Sequence, residues 1–177
     1  MTAEEKTTKM KFSELLIKLN ACKEAREWAS DMFIEEIVKK CHRGDWLLWI
    51  ALRVNVDKRK LTLAKAYCAN TVRHLMKDER SINAIDVAIR YGNGQATDEE
   101  LNTAAYAAYA YAAYADAAAA DDAYAAYAAY AAAAYAAYAD AADDAAADAR
   151  NKVRMETADI FRQYIGNEII QKVNELL

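Results

Sequence analysis

Between Ala104 and Ala149 the chain carries nine tyrosines and seven aspartates on a background of thirty alanines, and no other residue type. These side chains are the best equipped in the sequence to meet another molecule. A tyrosine ring stacks on flat groups, and its hydroxyl can bond ribose or phosphate oxygens. At about 100° per residue, Tyr124, Tyr127, Tyr135 and Tyr138 fall within an arc of roughly 80°, with Tyr130 at its edge. Tyr106 and Tyr109 form a similar pair upstream. This puts a Tyr face inward and an Asp face outward. Two readings stand: the rings fill the space alanine leaves, or some of them line a cleft for a flat ligand. An enclosed nucleotide also needs cations, which the tract lacks. Arg150, Arg154 and Arg162 follow it on roughly one face and could supply them, with Arg43, Arg53 or Arg73 contributing from the first half.

Other reactive combinations are thin. His42 and His74 are the only histidines. Cys41 and His42 are adjacent, so on a helix their side chains diverge rather than pair. Cys22, Cys41 and Cys68 match no zinc spacing and are expected to be reduced, buried thiols. Asp140, Asp144 and Asp148, at i, i+4 and i+8, could place three carboxylates around a divalent cation, but exposed capping aspartates are the simpler reading. No Gly-rich phosphate loop is present. Trp46 and Trp49, three apart, read as core. Arg43-Gly44-Asp45 reads as a helix stop followed by a cap. No catalytic residue, metal ligand or cofactor site is therefore assigned, and the chain reads as a non-enzyme.

The elements that must position these residues are helical. The chain has no proline and four glycines, and no strand-like alternation bounded by turn residues. The expectation is an all-α, single-domain bundle of about eight or nine helices, after a disordered segment at 1–10. N-terminal helices occupy 11–95, Ala/Tyr/Asp-rich helices 97–149, and C-terminal helices 150–177. Helices are predicted over about 11–29, 31–42 (capped by Ser30 or Asp31), a short apolar stretch after Asp45, 58–77 (capped by Asp57), 82–91 (capped by Ser81), 150–165 and 167–176. Gly44 and Gly166 are read as stops. Thr97 and Glu100 form a capping box that opens the Ala-rich region. A continuous helix from 98 to 150 would be roughly 80 Å long. It is expected to break into two or three antiparallel helices near Asp116–Asp122 and Asp140–Asp144.

Net charge is −4, unevenly placed: −7 in the tract and +3 elsewhere. An acidic block of this kind argues against a nucleic-acid polymer as partner. No run is apolar enough for a membrane span, and the N-terminus lacks a signal-type apolar core, so the expectation is a cytoplasmic protein without a membrane partner. Close Ala packing leaves a homo-oligomer open.

Leu19-Asn20-Ala21-Cys22 with Glu24, Ala25 and Trp28, then Cys41-His42-Arg43-Gly44-Asp45-Trp46-Leu47-Leu48-Trp49, then the Ala/Tyr tract ending in Ala158-Asp159-Ile160-Phe161-Arg162, resembles the immunity-protein family (immunity-protein-like domain) of bacteria and phages. The resemblance covers about 12–170. It implies a cytosolic, helical, non-enzymatic protein of bacterial or phage conflict, with no catalytic motif to carry over. Residues and resemblance together give the expected function: a binding protein that neutralises its target by sequestration. The favoured target is a small nucleotide-type immune signal held by Tyr106, Tyr109, Tyr124, Tyr127, Tyr135, Tyr138, Arg150, Arg154 and Arg162. The alternative is a protein toxin blocked by an acidic, Tyr-bearing surface.

Overall fold

The structure, a computed structural model, describes residues 12–114 and 144–177, with side chains for 12–108 and 151–177. The described residues form eight α-helices and no strand. They are α1 (12–18), α2 (Lys23–Trp28), α3 (Ile34–Lys40), α4 (Gly44–Arg53), α5 (Lys58–Asn70), α6 (Glu79–Gly92), α7 (Asp98–Tyr114) and α8 (Asp144–Leu176). A single 3-10 turn spans Arg73–Leu75. The expected all-α architecture is what is found. The predicted breaks at Asp116–Asp122 and in most of Asp140–Asp144, and residues 1–10, lie outside the described residues.

The spine is α8. Its Ala158, Phe161, Ile165, Ile169 and Val173 recur every three or four residues and are essentially inaccessible. That spacing is one stripe of a 3.6-residue helix. Three helices lie on it, and their bonds fix their directions. Glu35 meets Asn174 while the carbonyl of Cys41 meets Arg162, so α3 runs antiparallel to α8. Gly44 touches Thr157, and the chain reaches Glu168 by Asp57, so α4 runs parallel to it. Lys60 binds Glu168 and Tyr67 stacks on Tyr164 at 4.7 Å, so α5 runs antiparallel again. With α1 and α2, these elements enclose one apolar cluster that includes Phe12, Leu47, Ile50 and Phe161. Next outward, α6 lies on α5, and α7 lies on α6.

Side-chain acceptors set several boundaries as the spacing predicts. Asp57 accepts the amide of Lys60 at 3.0 Å. Thr97 and Glu100 exchange bonds of 2.7 and 3.2 Å, which completes the capping box.

Other boundaries differ. The helix expected over 11–29 divides at Asn20, whose φ of 60° is left-handed. Neither Ser30 nor Asp31 caps α3. Instead Glu36 reaches back to the Phe33 amide at 3.1 Å. Asp78 rather than Ser81 caps α6, accepting the Ser81 amide at 3.1 Å. The helix predicted over 58–77 ends at Asn70, which leaves Leu75 66% exposed rather than on an inner face.

Two glycines were misread as stops. Gly44 begins α4 because a Cβ there would lie 2.4 Å from Thr157 Oγ1, so only glycine lets α4 meet α8 at that point. Asp45 consequently sits in the first turn instead of capping it. Gly166 lies inside α8, which continues unbroken to Leu176, and it faces Val38 of α3 across a gap that a Cβ would narrow to 3.1 Å.

Candidate functional site

The part of the Ala/Tyr/Asp region that the structure describes in full is the first three turns of α7. Leu101, Ala104 and Ala108 continue at helical spacing and face α6, where Ala84, Val87 and Tyr91 complete a small apolar cluster. With alanine occupying the inner stripe, the outer face is left to Glu99, Asn102, Thr103, Ala105, Tyr106 and Ala107, all exposed. Tyr106 is 73% exposed. At Tyr106 the expected orientation is therefore reversed: Ala104 and Ala108 pack, and this ring faces solvent.

The base of α7 is held by charge. Tyr91 is buried, and its hydroxyl donates to Asp98 Oδ1 at 3.0 Å. Lys58 donates to the same oxygen. Arg59 lies 4.3 Å from the Tyr91 ring centroid and donates to the carbonyls of Tyr91 (2.7 Å) and Ala96 (3.3 Å). Arg90 approaches Glu100 at 3.7 Å. The Lys58 ammonium and then the Tyr91 hydroxyl hold the Asp98 carboxyl below the usual range, so it stays charged at neutral pH. Glu100 is lowered as well, chiefly by the amide of Thr97. Three acids in one turn also suit the positive end of the helix dipole.

Of the nine residues expected to bind a ligand, three, Tyr106, Arg154 and Arg162, have described side chains. Tyr106 faces outward. Tyr109 lies on α7 and Arg150 on α8, their side chains outside the description. Tyr124, Tyr127, Tyr135 and Tyr138 lie outside the described residues. Arg154 is half-buried on α8, one turn before Thr157. Arg162 does structural work: Nε donates to the Val38 carbonyl at 2.8 Å and Nη2 to that of Cys41 at 2.7 Å, while Nη1 pairs with Asp159. It closes the carbonyl end of α3, as a cation at a helix C-terminus should.

The supporting arginines are also engaged. Arg43 grips Asp45 through two bonds of 2.9 and 2.6 Å and lies 4.7 Å from the Trp46 centroid. Arg53 stands over Trp49, and Arg73 pairs with Asp86. Trp46 and Trp49 pack half-buried against the core, as read from their spacing.

The thiols divide. Cys41 and Cys68 are buried, and burial pushes the Cys68 thiol up to about 12, which removes it from thiolate chemistry. Cys22, expected buried, is exposed because it stands just ahead of α2. Among the described residues no group of His, Cys, Asp and Glu side chains could hold a metal ion. No described helix is long and apolar enough to cross a membrane.

Set against known families, curated proteins and solved structures, the chain matches none.

What the sequence reading missed is the Lys58–Arg59–Tyr91–Asp98 cluster. Its only trace in the sequence is indirect. Asp98 sits beside the Thr97 cap, where an extra acid looks like dipole compensation alone.

Proposed function

We propose that the protein is a non-catalytic binding protein that neutralises a target by holding it, and that the target is a protein met by the outer face of α7. The observation that carries this reading is the orientation of α7: an alanine stripe packs on α6, so Tyr106 and Glu99 point away from the body. Tyrosine is favoured at the centre of protein interfaces because a rigid ring with a polar tip adds area at small entropic cost. An acidic surround suits a basic partner and speeds encounter. From Asp98 through Ala149 there are ten acids and no base, which extends that polarity along the sequence. The resemblance to immunity proteins supports the same picture: a cytoplasmic protein that blocks a basic toxin, acting alone or as a homo-oligomer.

Sequestration of a nucleotide-type signal between tyrosines and arginines is the weaker reading. Arg162 is bound to backbone carbonyls, and Tyr106 faces solvent.

Co-expression with candidate basic protein toxins tests the proposal. Growth should be rescued, and Tyr106→Ala combined with Glu99→Lys should remove the rescue while leaving the helical circular-dichroism signal intact. Rescue that survives both changes would move the contact elsewhere. A nucleotide-sized mass gain in native mass spectrometry would restore the small-ligand reading.

A further inference from the structure

We infer that α7 is a latched element: it opens from the body on its own, and the Lys58–Tyr91–Asp98 cluster is the latch that keeps it seated. Among the described residues, the main apolar cluster draws none from α6 or α7. What seats the described part of α7 is a separate cluster to which it contributes Ala104, Ala108 and half-buried Leu101. Alanine offers one methyl, so this seam removes little apolar surface from water compared with the Phe161 and Ile165 stripe of α8. A joint with few buried apolar contacts and an exposed polar fastening belongs to the low end of the local-stability scale.

The fastening is specific. Asp98 receives Lys58 from α5 and the Tyr91 hydroxyl from α6, so one carboxylate ties α7 to two helices. Arg59 holds the incoming turn through the Tyr91 and Ala96 carbonyls but bonds nothing within α7 itself. Release of Asp98 therefore leaves α7 seated by the alanine seam and the half-exposed Arg90–Glu100 pair, while the turn stays in place. Lys58 and Asp98 are each more than half exposed, which leaves their bond open to screening by salt. Movement of α7 would carry Tyr106 with it.

Hydrogen exchange followed by mass spectrometry on the full chain tests this. In the unaltered protein, amides of 98–108 should exchange faster than those of α4 and of 158–173. Tyr91→Phe keeps the ring and removes one bond to Asp98, so exchange in 98–108 should rise about five-fold. Lys58→Met should raise it as well, and Lys58→Arg should restore it. Raising ionic strength from about 0.05 to about 0.5 M should reproduce the effect in the unaltered protein and leave Lys58→Met almost unchanged. Rates in 158–173 should stay constant throughout. If 98–108 does not respond, or if 158–173 accelerates in parallel, then α7 opens only with the whole molecule and the latch is refuted.

Discussion

Arg162 illustrates how a single side chain can be claimed by architecture. Its guanidinium closes two carbonyls at the end of α3 from a position more than a hundred residues away in sequence. Charged hydrogen bonds of this kind are worth roughly 1.5–3 kcal/mol each when lost. Arg162→Met is expected to cost about 2–3 kcal/mol in urea denaturation, with the slope of the transition unchanged. Arg162→Lys should recover only part of this, because an ammonium cannot span both carbonyls as the planar fork does. An unaffected midpoint would free Arg162 for the ligand role that its spacing from Arg150 and Arg154 suggests. The sequence shows a cation and its interval but not the carbonyls awaiting it. That is why Arg162 read as a binding residue.

At the scale of elements, the positions of close approach decide more than the positions of turns. Gly44→Ala would press a Cβ against Thr157, including its backbone, and neither can retreat easily because Thr157 Oγ1 is tied to the carbonyls of Val153 and Arg154. Overpacking of this kind costs typically 1–3 kcal/mol. Thermal melts should show Gly44→Ala destabilised by about that amount, and Thr157→Ser, which removes a methyl but keeps the hydroxyl, should not relieve it. Gly94 makes a useful contrast. Its φ of +75° disfavours a side chain, but a Cβ there meets open space, so its cost would be backbone strain alone, about 1–2 kcal/mol.

Caps and glycines together show where the sequence was legible and where it was not. Asp57 and the Thr97–Glu100 pair were readable because a short acceptor at a fixed offset has one good use. Gly44 and Gly166 were not, because a glycine that admits a neighbouring helix looks identical to one that ends its own. For α7 the difficulty was different. Alanine and tyrosine both count as apolar, so periodicity located the faces without saying which was buried. The packing against α6 assigns the inner one to Ala104 and Ala108.

For the molecule as a whole, carboxylates shared between helices set the acid response. Asp98 is lowered first by Lys58, and Asp86 first by Arg73. For Glu168, burial works in the opposite direction but is outweighed by Lys60 and the amide of Asp57, so its carboxyl too lies below the ordinary value. Each therefore titrates lower in the folded chain than in the unfolded one. The stability they supply is complete above the unfolded-state value near ~4 and disappears as pH falls from there through the folded-state values. Urea midpoints should be flat from neutrality to about pH 5 and drop below about pH 4. Lys60→Met should flatten that drop and lower the plateau. A plateau that extends to pH 3 would show that these pairs contribute nothing measurable.

The central stripe of α8 also sets a schedule. Phe161, Ile165, Ile169 and Val173 complete a core whose other walls, α1 to α5, end by Asn70. On a ribosome adding about 5–20 residues per second, those early helices wait roughly 5–20 s for their last partner. During that interval Leu47, Leu48 and the core around them lack the stripe of α8 that closes it. Nascent chains of this protein should therefore depend on holding chaperones during synthesis far more than the finished molecule does.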